Sequence, residues 1–191
     1  MDSARALKAA RAARGTTQRQ LAADTGTHQP QIAAIESGAH DTTTSGLERH
    51  LQALLYRLTI LPTRRRPAWE AALDVAEHLA VADEASAFRE VLQLSDDLAA
   101  SSPDIRVALA VTPPPTTKDA RYDALLAGVV DYWLEQCAAP RPSWLEEPTR
   151  RVDHRWVVEP LPELHDAALQ ATPPALLRHG IVLAESELRS A

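Results

Sequence analysis

Between Ser3 and Gly38 the apolar positions come in three short bursts: Leu7 with Ala10, Leu21 with Ala22, and Ile32 with Ile35. A glycine closes each burst, at positions 15, 26 and 38. This spacing predicts three brief helices. The first covers residues 3–14, with Ser3 as N-cap. The second, "QRQLAADTG", is capped by Thr17, and the third, capped by Thr27, runs to "ESG". Leu47, Leu51 and Leu54 keep helical spacing through "GLERHLQALLYRL", and "YRLTILP" (56–62) turns towards the alternation of a short strand.

Further on, "AWEAALDVAEHLA" predicts a helix opened near Pro67 with Trp69, Leu73, Ala76 and Ala80 inward. "SAFREVLQLSDDLAA" repeats the pattern through Phe88, Val91, Leu92 and Leu98. "IRVALAV" (105–111) fits a buried helix turn or a strand, and "TPPPTTKD" is a loop. Residues 119–137 predict the longest helix, with Ala120, Leu126, Val130, Trp133, Leu134 and Cys137 inward. From residue 138 a proline- and tryptophan-rich stretch reads as irregular, with a short strand at "RWVVE". The end predicts a helix from about Pro173 to Gly180, a strand "IVLA" and a last helical turn. No fixed-period repeat is present.

The first three helices have a more specific spacing. Counted from Gln18, a helix-turn-helix needs an apolar residue at its fourth position and a small one where the helices cross at its fifth. It needs a residue tolerant of positive φ at the ninth, and apolar residues at the fifteenth and eighteenth. Those positions hold Leu21, Ala22, Gly26, Ile32 and Ile35.

Charge sharpens the picture. Residues 1–66 carry ten Lys and Arg against five Asp and Glu, whereas residues 67–191 carry ten against twenty-one, so a head of +5 precedes a body of −11. Such an asymmetry points to a polyanion at one end. The 45% apolar content is ordinary for a core-forming protein, and no run is long and apolar enough to span a membrane. The N-terminus has no continuous apolar core, so a secretory signal is not expected and a cytoplasmic location is. The single cysteine, Cys137, excludes an intramolecular disulfide and reads as buried and inert.

The segment "LKAARAARGTTQRQLAADTGTHQPQIAAIESG" resembles the Xre/lambda-repressor-like DNA-binding domains over about residues 4–60. The resemblance implies a mainly α protein. An N-terminal five-helix bundle at residues 1–60 would precede an acidic, mostly helical regulatory or partner-binding domain with a few short strands at 61–191. It also implies that the third helix enters the major groove of double-stranded DNA. Gln29 is then the best base reader, because a glutamine amide can bond bidentately to adenine N6 and N7. Gln31 and His28 flank it, Thr27 sits at the helix start, and Pro30 is tolerated where an N–H has no intrahelical acceptor. Gln18 would aim its amide and the helix N-terminal N–H groups at a phosphate, assisted by Thr17 and Arg19. Arg11 and Glu36 are expected to form a structural ion pair. Ala33, Ala34 and "HDTTTSG" lack the basic residues relatives often carry, so affinity is expected to need a homodimer or help from Arg64, Arg65 and Arg66.

More loosely, "RLTILPTRRRPAW", "DARYDALLAGVVDYWLE", "PSWLEEPTRRVDHRWVVEP" and "TPPALLRHGIVLAESELRSA" resemble the body of actinobacterial Xre-type regulators. That implies a cognate nucleotidyltransferase-like toxin as partner, which would make the chain an antitoxin-like autorepressor. The alternatives are a protein-interaction adaptor and a small-molecule-sensing regulator whose C-terminal domain is the main functional part. Trp144 and Trp156 fit core pegs better than interface anchors. Asp96–Asp97 and Glu146–Glu147 read as solvated faces. His154, His165 and His179 have no metal-ligand spacing. Neither an HExxH, a phosphate loop nor a GxSxG occurs, so no enzyme, cofactor or metal is expected.

Overall fold

The computed structural model describes residues 3–58 and 63–189, and ten α-helices account for most of them. By internal contacts the chain divides into residues 1–62 with 113–115, and residues 63–112 with 116–191.

Among the described residues the first unit holds four helices: α1 (Ser3–Ala13), α2 (Gln18–Asp24), α3 (Gln29–Glu36) and α4 (Thr44–Ala53). The strand expected over 56–62 does not appear at Tyr56–Leu58, which are irregular, and 59–62 lie outside the described residues. One small core joins the helices, made of Leu7, Ala10, Leu21, Ala22, Ile32, Ile35, Leu47, Leu51 and Leu54. His50 of α4 is also buried, and desolvation, followed by the neighbouring Arg49 charge, pushes its pKa down.

The turn between α2 and α3 explains why one cap moves. Gly26 takes φ +65°, the left-handed conformation the ninth position requires. Gly26 N then donates to Ala23 O and Thr27 N to Ala22 O at 2.8 Å, closing the end of α2. With its backbone engaged there, Thr27 does not cap α3 as expected; the N-cap is His28, whose side chain makes no capping bond.

The second unit begins with α5 (Ala68–Ala80) and α6 (Glu84–Ala99), packed against each other. The buried face of α5 is Ala68, Ala71, Ala72 and Val75, not the expected Trp69, Leu73, Ala76 and Ala80. Small side chains let α5 approach α6 closely, leaving Trp69 and Leu73 half-buried at the rim. "IRVALAV" resolves as helix up to Ala110, within α7 (Pro103–Ala110), with Val111 as its C-cap. The central element is α8 (Ala120–Glu135), in which every residue from Tyr122 to Leu134 is buried. Its expected single inward face is therefore too narrow, and at its ends Ala120 is exposed and Cys137 half-buried. A helix buried all round must be surrounded, and α8 touches α5, α6, α7 and α10 (Pro174–Arg178). Gly128 permits the last contact: a Cβ there would sit 3.0 Å from Leu176 Cδ2.

The proline-rich segment forms 3-10 turns at Ser143–Glu146 and Pro148–Arg150. Strand β1 (Trp156–Val157) pairs in parallel with β2 (Ile181–Val182), Trp156 opposite Ile181. Between them lies α9 (His165–Gln170), directly after the stretch expected to be irregular. Trp144 is a core residue, 2% exposed, with Nε1 donating to Ala110 O at 2.9 Å. Trp156 is half-buried against Tyr122, beneath the Arg121 guanidinium.

Buried charges in this unit are matched by distant partners. Asp123 accepts from Thr116 Oγ1, Thr117 N and Thr117 Oγ1 at 2.6, 2.7 and 2.8 Å, anchoring the loop before α8. Arg106 lies over the Trp133 ring and donates to Leu98 O, Ala99 O, Ser101 O and Trp133 O. One guanidinium thus satisfies carbonyls left over at the ends of α6 and α8. Arg65 and Arg66 are also drawn into acidic groups of this unit: Arg65 pairs with Asp97, and Arg66 with Asp74 and Glu90 at 2.9 and 2.8 Å. Asp97 is therefore a buried ion-pair partner and not part of a solvated face.

Candidate nucleic-acid interface

The pairing of α2 and α3 rests on Leu21, Ala22, Ile32 and Ile35, each no more than 3% exposed. The first turn of α3 faces the other way, with His28, Gln29, Pro30 and Gln31 all exposed. Pro30 falls in the first turn, where its missing N–H removes no intrahelical bond.

A chain of polar side chains runs behind this turn. Arg11 grips Glu36 with two parallel bonds, Nε to Oε1 at 2.6 Å and Nη2 to Oε2 at 2.7 Å, and its Nη1 reaches Thr16 O at 2.9 Å. Side-chain exposures of 17% for Arg11 and 4% for Glu36 make this a shielded pair tying α1 to the end of α3. The hydrogen bonds Arg11 donates to Glu36, and then the Glu36 charge, hold the Arg11 pKa above its ordinary value against the opposing effect of burial.

Gln18 continues the chain. Its Nε2 donates to Glu36 Oε2 at 2.9 Å, so its Oε1 points forward and accepts from Gln29 Nε2 at 2.8 Å. One amide N–H of Gln29 is engaged, leaving its carbonyl oxygen and the other N–H facing solvent as an adjacent acceptor and donor. Thr17 builds the start of α2: its hydroxyl accepts from Gln20 N at 3.2 Å and its backbone N–H donates to Gln20 Oε1 at 2.9 Å, a capping box.

Thr17, Gln18, Arg19 and Gln29 line one open concavity of about 560 Å³ together with Arg11 and Thr16. Thr27, His28 and Gln31 do not line it. Thr27 turns its hydroxyl to Thr25 at 3.3 Å, while His28 and Gln31 project from the exposed turn. The Gln18 bridge is what reading the sequence missed. Its only trace there is an eleven-residue spacing between Gln18 and Gln29, which becomes a contact once the Gly26 turn folds α3 back.

Two helices locked by a four-residue apolar set through a left-handed glycine, with a polar first turn exposed, define a helix-turn-helix domain. Residues 7–48 match the sequence model of a helix-turn-helix family, of the Xre/lambda-repressor-like kind. Comparison with curated proteins and with solved structures found no match. A domain of this class implies DNA binding and points to a transcriptional regulator. Among the described residues no helix is long and apolar enough to cross a membrane, and no cluster of His, Cys, Asp and Glu is arranged to hold a metal ion.

Proposed function

We propose that the chain is a sequence-specific DNA-binding transcriptional regulator, an autorepressor acting as a homodimer on double-stranded DNA. The observation that carries this is the 2.8 Å bond from Gln29 to Gln18 on an exposed helix start. A base-reading amide held from behind meets its target with less rotamer freedom to lose. Its free acceptor and donor suit adenine N6 and N7. Gln18 and Arg19 around the same concavity support a phosphate contact beside it, with His28 and Gln31 as flanking readers. The sparse basic surface supports a dimer, whose half-sites would lie roughly 34 Å apart.

Titration with the DNA upstream of its own coding sequence, at several salt concentrations, tests the proposal. Log K should fall linearly with log salt. Gln29→Ala should weaken binding by about 1–3 kcal/mol on the preferred site and little on random DNA. Equal losses on both would remove Gln29 from base reading.

The net −11 of residues 67–191 supports a basic protein partner for the body, and with it the role of antitoxin in a toxin–antitoxin pair. A basic protein encoded beside this chain should copurify with it when the two are coexpressed. Separation of the two at low salt would leave the regulator without that partner.

A further inference from the structure

Asp131, in the C-terminal half of α8, is fully buried and is met by two arginines and a histidine. Arg141 donates to it through Nε at 2.6 Å and Nη2 at 3.0 Å. Arg178 reaches it through Nε at 3.1 Å and Nη2 at 3.0 Å, and His179 Nε2 lies 3.3 Å away. His179 is itself oriented by Nδ1, 2.6 Å from Arg150 O. One carboxylate thus fixes two guanidiniums side by side, although like charges so close repel each other.

The other edges of those guanidiniums face a cavity of about 460 Å³ lined by Arg141, Leu145, Glu146, Arg151, Arg178 and His179. The volume is within the range that encloses small ligands. Nη1 of Arg178 makes no hydrogen bond among the described residues, and Nη1 of Arg141 has only Glu146 Oε1, at 4.0 Å. Arg151 has no hydrogen-bond or ion-pair partner among the described residues. Glu146 is the one carboxylate on the lining, and its side chain, 72% exposed, stands at the rim. Three of the ten Lys and Arg in residues 67–191 therefore meet in one cavity of an otherwise acidic domain. Planar guanidiniums with unused N–H edges match the oxygens of carboxylate and phosphate groups.

We propose that this cavity binds a small organic oxyanion, a carboxylic acid or a phosphate ester, gripped by Arg151, Arg178 and Arg141 with its carbon skeleton against Leu145. The site belongs to the second unit alone and does not depend on DNA binding. Asp131, and on the Arg178 side Glu135 at 3.1 Å, hold the two guanidiniums from behind, and an anion seated there takes up the N–H edges they leave free. Arg151 acts as the mobile arm, because no protein group holds it.

Calorimetry on the full chain at constant ionic strength, without DNA, tests this with inorganic phosphate, glycerol phosphate and succinate as probes. At least one should bind saturably and raise Tm where matched chloride does not. Phosphates alone would identify a phosphate ester, and succinate alone a carboxylic acid. Arg151→Gln should weaken that binding by about tenfold or more, with the unliganded Tm unchanged because Arg151 holds nothing in place. Glu146→Gln should strengthen it by removing a competing charge. No saturable binding up to roughly 10 mM of any probe, or binding that Arg151→Gln leaves untouched, would overturn the proposal.

Discussion

Each unit is organised around a buried carboxylate, and the two are finished differently. Glu36 receives Arg11 on one side and passes its second oxygen through Gln18 to Gln29, so that its network ends at a solvent-facing amide. Asp131 collects Arg141, Arg178 and His179 around itself. The first network aims a side chain outward. The second fastens α8 to α10 and to the segment after it. Similar chemistry therefore serves display in one unit and cohesion in the other, which predicts that mutations will be felt differently in each.

The largest effect should come from Asp131→Ala. Losing the central anion strands two guanidiniums and a histidine, at about 3–5 kcal/mol in a urea titration of the full chain. A loss below about 1 kcal/mol would mean the cations find water instead. Arg106→Ala comes next, at about 3 kcal/mol, because it leaves carbonyls at the ends of two helices without donors.

Acid should separate the units. Asp131 has its pKa lowered from 3.8 to about 2; burial opposes the shift, but the hydrogen bonds from His179 and Arg141 and the two arginine charges outweigh it. Its folded pKa lies below the unfolded one, so its contribution of roughly 2 kcal/mol is complete above about pH 4 and is lost as the pH falls towards 2. His50 in the first unit is also lowered, from 6.5, by burial. Its contribution is present above that value and declines as the pH falls below it. Amide exchange followed from pH 7 downward should therefore show the first unit loosening before the second; the reverse order would contradict both assignments.

The smallest effect is local. Gly26→Ala adds a methyl group that meets nothing within 4 Å, so its cost is only that of a left-handed alanine, about 1–2 kcal/mol in thermal denaturation. A neutral outcome would show that the turn relaxes.

The same contrast explains how much could be read in the residues beforehand. Helix ends in the first unit are set by neighbours in the chain, such as Thr17 with Gln20 and Gly26 with Thr27, and these signals are visible within a few positions. In the second unit the decisive partners are far apart: Arg106 with Trp133 O, Ser95 with Leu188 O, Asp131 with Arg178. No local pattern marks such pairs, so α8 looked one-sided when it is enclosed. The alanine face of α5 misled for a related reason: burial followed closeness of approach, not side-chain size. For the candidate interface, the exposed turn at 28–31 was legible from its polar side chains, whereas the bridge between Gln18 and Gln29 needed the fold.

Gln18 has a consequence for retargeting. Because it clasps Glu36 with one end and Gln29 with the other, a new residue at 29 also changes what the pivot beneath it can hold. Substituting an arginine or an aliphatic there would leave the Gln18 carbonyl oxygen with a different donor or none. On the proposed base reading by Gln29, drift in operator preference would proceed by paired changes at 18 and 29, with the Arg11–Glu36 clamp kept as the hinge on which they turn.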